Sequence, residues 1–136
     1  MIGKALFSLV LFFTVTTAPA LAVGPEGVWL RASGTSKIKI FKCGSAYCGD
    51  LVWLKSPLKD IHNPDKAKRT RPLLGSRTVL GMKEDGKNAW KGKVYNAEDG
   101  KTYTGKMKLI DQNRLSLKGC VLGGLFCKGE EWARSK

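Results

Sequence analysis

Beyond residue 26 the chain alternates apolar and polar residues over short runs. Segment 36–43 puts Ile38 and Ile40 on one face and Lys37 and Lys39 on the other. Segment 89–96 sets Trp90, Gly92 and Val94 against Lys91 and Lys93, and segment 101–110 sets Tyr103, Gly105, Met107 and Leu109 against Lys106 and Lys108. In segment 114–121, Leu115 and Leu117 oppose Ser116 and Lys118. A period of two marks a half-buried strand, because successive side chains leave a strand on opposite sides. Segments 27–31, 48–54, 77–83 and 126–134 complete eight predicted strands, most of them six to eight residues long. Turn residues such as Glu98-Asp99-Gly100 and Gln112-Asn113 separate them. Short connections make neighbours antiparallel, so the expected fold is all-β: a small antiparallel meander barrel with one long loop.

That loop is segment 55–76. It carries Pro57, Pro64 and Pro72, little alternation, and a short helical turn expected near residues 64–67. A connection this long inside a small domain is usually functional or disordered. Two barrels fit the alternation. A soluble barrel points its apolar face inward, whereas an outer-membrane barrel points it at lipid and its lysines at the lumen. Membrane strands need about 9–11 residues, longer than most segments here. Lysines packed into a lumen would also need acidic partners, and 24 Lys+Arg face only 11 Asp+Glu. The soluble barrel is the expectation, with no membrane-spanning segment.

The first 22 residues read differently. Lys4 supplies a positive start, segment 5–17 is uncharged and apolar-leaning, and Ala18-Pro19-Ala20 and Ala20-Leu21-Ala22 offer small-x-small cleavage sites. The segment is too short to cross about 30 Å of hydrocarbon. Residues 1–22 are therefore expected to be a cleaved signal peptide and 23–136 a single domain, placing the mature protein in the periplasm. Export changes how the four cysteines are read, since an even number in an oxidising compartment implies disulfides. Three pairings exist. Cys43–Cys48 and Cys120–Cys127 are favoured, because each pair flanks a Gly-containing stretch suited to a turn between strands. Cys-x4-Cys and Cys-x6-Cys match neither tight zinc knuckles nor a redox Cys-x-x-Cys. No metal and no cofactor is expected.

Several segments together carry a resemblance. They are Gly27-x-Trp29, Cys43-Gly44, Cys48-Gly49, Val52-Trp53-Leu54, Asn63-Pro64-Asp65, Arg69-x-Arg71-Pro72-Leu73-x-Gly75, Trp90-x-Gly92-x-Val94-Tyr95, Asp99-Gly100-Lys101-x-Tyr103, Gly119-Cys120 and Trp132-x-Arg134. In this order, over nearly all of the mature chain, they resemble the bacterial family called domain of unknown function 2147. The resemblance implies an exported small β-barrel and carries over no catalytic residue. A second likeness, to the lipocalin-like (calycin) barrels, rests on Gly27, Trp29 and Arg134. It implies that a guanidinium near the chain end stacks on the first-strand indole and closes the barrel, for about 0.5–2 kcal/mol.

Candidate chemistry is sparse. The single His62 has no nucleophile beside it in sequence, and Ser33, Ser36 and Ser45 lack an elbow context. Asp50 with Glu130 and Glu131 could form a carboxylate pair, but Glu130 and Glu131 leave a strand on opposite faces. An enzyme is not expected. Arg69 and Arg71 could capture a carboxylate or phosphate at the mouth, or pair with Asp60 and Asp65 to pin the loop; the pinned loop is the favoured reading. Calcium on Asp60, Asn63 and Asp65 is opposed by the formal charge of +13, which falls by one when Lys4 leaves with the leader. Trp53, Trp90, Tyr95 and Tyr103, with Arg69 and Arg71, are the candidate ligand-binding residues, although the aromatics could equally fill the interior. The expected partner is a small apolar or amphiphilic ligand, or an anionic envelope component. The alternative is a filled barrel that acts as an interaction or inhibitor protein through its basic exterior. Nucleic acid is not expected, because the aromatics sit on the presumed inner face. No oligomeric state is read from the chain.

Overall fold

Eight antiparallel strands follow one another round a closed barrel, each hydrogen-bonded to its sequence neighbours. The computed structural model describes residues 3–6, 8–16 and 24–136. The strands are β1 (Gly27–Leu30), β2 (Ser36–Cys43), β3 (Ala46–Leu54), β4 (Arg77–Glu84), β5 (Ala89–Asn96), β6 (Lys101–Asp111), β7 (Arg114–Val121) and β8 (Phe126–Arg134). β8 returns to β1 through two pairs, Trp29 with Arg134 and Leu30 with Ala133. The expected meander barrel is the fold present. The helical turn in the long loop lies slightly later than expected, as a 3-10 turn over Lys66–Lys68 in which Ala67 N donates to the Asp65 carboxylate.

β3 runs two residues longer than expected and β6 one, so that β3 and β8 have nine residues and β6 has eleven. Strand length therefore does not separate a soluble barrel from a membrane one here. The direction of the side chains does. Ile38, Ile40, Leu51, Val79, Met82, Met107 and Leu115 are buried inside, while Lys39, Lys91, Lys93, Lys108 and Lys118 stand exposed outside. Among the described residues, no helix is long and apolar enough to cross a membrane.

The expected cleavage sites fall outside the described residues. Of the leader, residues 3–6 and 8–16 form neither helix nor strand, and the side chains of Leu6, Phe12 and Phe13 stand almost fully exposed, away from the core.

The barrel has two unlike ends. At one, the β2–β3, β4–β5 and β6–β7 turns meet the start of β1 and the end of β8. This end is filled: Trp90 is buried edge-on against Tyr47, with ring centroids 5.7 Å apart. The Arg134 guanidinium lies 4.3 Å from the Trp29 ring centroid. It also donates to the carbonyls of Glu26 at 2.7 Å and Gly24 at 3.1 Å, and to that of Gln112. The Trp29 indole donates in turn to Pro25 O at 2.9 Å. Gly27 makes this closure possible: its φ is +133°, and a Cβ there would stand 2.6 Å from Arg134 Nη1. Disulfide Cys43–Cys48 staples the β2–β3 hairpin at this end, and Cys120–Cys127 staples β7 to β8 at the other. This is the pairing the local spacing favoured.

Candidate functional site: the barrel mouth

At the open end a cavity of about 900 Å³ sits between the strands. Its apolar wall comes from inward positions on six strands, Ile38, Leu51, Val79, Val94, Leu117 and Trp132. Eight strands leave an interior that side chains can fill or that can hold one small ligand. Here both occur: bulky side chains plug the closed end, and the mouth half is hollow.

Polar groups are few and placed on the wall. The Arg31 Nε donates to Glu130 Oε1 at 2.7 Å, and the Trp132 indole donates to the same oxygen at 2.6 Å. Burial opposes ionisation of Glu130, but the hydrogen bonds from Arg31 and Trp132 outweigh it and hold its carboxyl below the usual carboxylate range. At neutral pH the cavity wall therefore carries a fixed ion pair. Lys128, Tyr103 and Asp99 stand nearby, with the Tyr103 hydroxyl donating to the Asp99 carboxylate. Ser36, also on the wall, holds a buried hydroxyl oxygen with no hydrogen-bond partner.

Segment 55–76 lies across the mouth, and its Leu58 and Leu73 face the cavity. Its ends are drawn together by Leu73 N to Leu58 O at 2.8 Å and Asp60 N to Arg71 O at 3.1 Å. Asp60 ties the segment to the barrel. Fully buried, it accepts from Tyr95 Oη at 2.6 Å, Asn63 Nδ2 at 2.8 Å, and Arg71 Nη2 and Nε at 2.9 and 3.1 Å. Burial opposes its ionisation, yet these donors together keep its carboxyl below the usual carboxylate range. Burial, followed by the Asp60 carboxylate, pushes the Tyr95 hydroxyl up to about 12. On the other side, the segment lies against the β5–β6 turn so closely that a Cβ on Gly100 would sit 1.8 Å from His62 O. Gly100 also has a left-handed φ of +71°, so two constraints select glycine there.

Several site expectations need correction. Arg69 and Arg71 are not aimed at a ligand: Arg69 Nε donates to Asn63 O at 2.7 Å, and Arg71 is held by Asp60. Asp65 takes no part in that pairing, since it caps the Lys66–Lys68 turn. The three oxygen donors considered for calcium are all engaged within the loop, Asn63 Oδ1 accepting from Asp65 N at 2.9 Å. Trp53 lies outside the barrel, 39% exposed beneath the Lys37 ammonium. The cause is a bulge: Ile38 pairs with Leu51 but Lys37 pairs with Trp53, so one extra β3 residue breaks the alternation. Trp90 points inward but sits at the filled end, away from the cavity. Of the six proposed ligand residues, Tyr95 and Tyr103 line the cavity. The Arg31–Glu130–Trp132 cluster escaped the sequence reading. Its one signal was Glu130 sharing an inward parity with Trp132.

Residues 27–134 match the model of a family described as "Uncharacterized protein conserved in bacteria (DUF2147)". No curated protein matches the chain significantly. Among solved structures, the chain is similar to protein HP1028 from Helicobacter pylori, described as belonging to the lipocalin family, with a TM-score of 0.76 and 22% identity over 85% of each chain. At that identity the likeness concerns the fold.

Proposed function

The chain belongs to the DUF2147 family, whose description assigns no chemistry, and we propose that it is an exported binding protein, not an enzyme. On this reading it takes a small apolar or amphiphilic ligand, free or as part of an envelope component, into the mouth cavity. The observation that carries it is the cavity itself: about 900 Å³ with an apolar wall and a fixed ion pair. Pockets of about 300–1,000 Å³ with few, well-placed polar groups are typical of small-molecule sites. The apolar wall would take a chain or ring, while Arg31, Lys128 and Tyr103 would meet a polar end. The Helicobacter protein's lipocalin description supports the same direction. Export is part of the proposal, supported by the leader's sequence and by two disulfides, which persist in oxidising compartments.

Native mass spectrometry of protein released gently from its own compartment tests it. A reproducible adduct of a few hundred daltons, lost on denaturation and absent from a Leu117→Trp variant with unchanged melting, is the expected result. A bare mass, with no uptake of fatty acids or lysophospholipids offered in solution, would overturn the carrier reading.

A further inference from the structure

The exposed apolar side chains are unevenly placed. Among the described residues from 24 onward, nearly all large apolar side chains more than a third exposed lie in the mouth half; Ile110, near the filled end, is the exception. Val52 and Trp53 lie on β3, and the others in the mouth half form two projections at the cavity opening. One is the loop, with Leu58, Ile61 and Leu74. The other is the β7–β8 tip, where Leu122, Leu125 and Phe126 are 70%, 80% and 65% exposed.

The tip is a built feature. The run Val121-Leu122-Gly123-Gly124-Leu125-Phe126 contains no polar side chain, although exposed turns are normally polar. Leu122 has a left-handed φ of 52°, a conformation rarely adopted outside Gly, Asn and Asp. Gly123 and Gly124 continue with φ of 68° and 91°, and disulfide Cys120–Cys127 clamps the base. A stapled turn that holds two leucines in water at a backbone cost suggests a surface meant to be covered.

The surroundings of both projections are basic. Segment 55–76 holds six Lys and Arg against two Asp, and Asp60 is already neutralised by Arg71. Lys55, Lys59, Lys66, Lys68 and Lys128 are exposed around the opening, and the Lys106 ammonium lies beside Gly124. The acids there are Asp65, which caps the Lys66–Lys68 turn, Glu130, which is paired with Arg31, Asp99, which is engaged by Tyr103, and Glu98. Apolar tips ringed by lysines match the two requirements of an anionic lipid surface: insertion at the headgroup–acyl boundary and attraction to negative headgroups.

We propose that the mouth face docks on an anionic phospholipid bilayer, with Leu122, Leu125 and Phe126 entering the boundary and the lysine ring resting on the headgroups. Docking in this pose brings the cavity opening onto the bilayer, so an amphiphile would pass between the two without crossing water. The docking itself does not depend on what the cavity holds.

The test is co-sedimentation of the mature protein with vesicles of mixed phosphatidylglycerol and phosphatidylcholine, against pure phosphatidylcholine. Retention on the anionic vesicles, falling as salt is raised, is expected. Leu122→Ser with Leu125→Ser should lose it while melting as wild type, because both side chains are exposed. Each basic group near such a surface contributes about a fivefold change, so K66E with K68E should lower retention by at least about tenfold. The Leu117→Trp variant should bind vesicles normally, which separates this proposal from the carrier reading. No retention of folded wild type, undiminished retention of the leucine variant, or a solution dimer that buries the tip would each overturn it.

Discussion

Replacing Asp60 with Asn should open the mouth loop without unfolding the barrel. The substitution keeps the side chain's shape and removes its charge. An uncharged amide can still accept from Arg71 and Asn63 through one oxygen, while its NH2 faces the Tyr95 hydroxyl, which must turn to accept. Hydrogen bonds to a charged group contribute about 1.5–3 kcal/mol, against about 1 for neutral pairs. Arg71 is 37% exposed and recovers part of its hydration, which places its share at the low end. The net loss is about 2–3 kcal/mol. If it falls on loop opening, amides such as Leu73 N and Asp60 N, bonded to Leu58 O and Arg71 O, should exchange about 30- to 150-fold faster. Amides in β6 and β7 should keep their rates. Hydrogen exchange read by mass spectrometry on peptides covering residues 55–76 makes the measurement. The pH dependence provides a second check. The folded-state value of Asp60 is depressed, so its contribution is present above the unfolded value of about 3.9 and is lost as pH falls through the folded one. The difference between wild type and Asp60→Asn should therefore be full at neutral pH and shrink in acid. Loop exchange within about threefold of wild type at pH 7 would refute the claim that Asp60 anchors the loop.

Arg134→Ala removes the cation over Trp29 and its donors to three carbonyls, for about 2–3 kcal/mol after allowing for partial exposure. Differential scanning calorimetry should show a melting point about 8–12 °C lower, and an unchanged one would remove this closure from the account. Gly100→Ala drives a methyl into His62 O and demands a left-handed alanine. Its expected effect is accelerated exchange across residues 55–76, and wild-type protection there would count against the packing described.

Period-two patterning settled the strands because it reports directly which face of a strand is buried. The disulfides were equally legible, since each joins neighbouring strands across a short turn. Patterning says nothing of height within a barrel, however. Trp90 was correctly assigned inward, but whether an inward residue plugs the end or lines the hollow depends on the stagger of all eight strands. Trp53 was misread because a bulge shifts the phase by one residue, and no local signal marks it. The cavity's ion pair joins residues separated by 99 positions, and Asp60 reaches Tyr95 across 35. Contacts of that range arise only when the barrel closes.

The closure itself has a consequence for how the chain assembles. Seven of the eight strand junctions join consecutive segments, so a curved sheet from β1 to β8 can form by adding one hairpin at a time. The eighth junction joins the first strand to the last through only two residue pairs. Until β8 exists, β1 has no partner on one side, and the growing sheet presents a bare edge able to recruit another chain. The Arg134 guanidinium, two residues from the end of the sequence, is what reaches back to Gly24 and Glu26 and latches that edge. Truncating the last three residues should therefore cost more than stability: it should leave nascent protein prone to strand exchange and aggregation during folding, with the seam the first place where a mature barrel breathes.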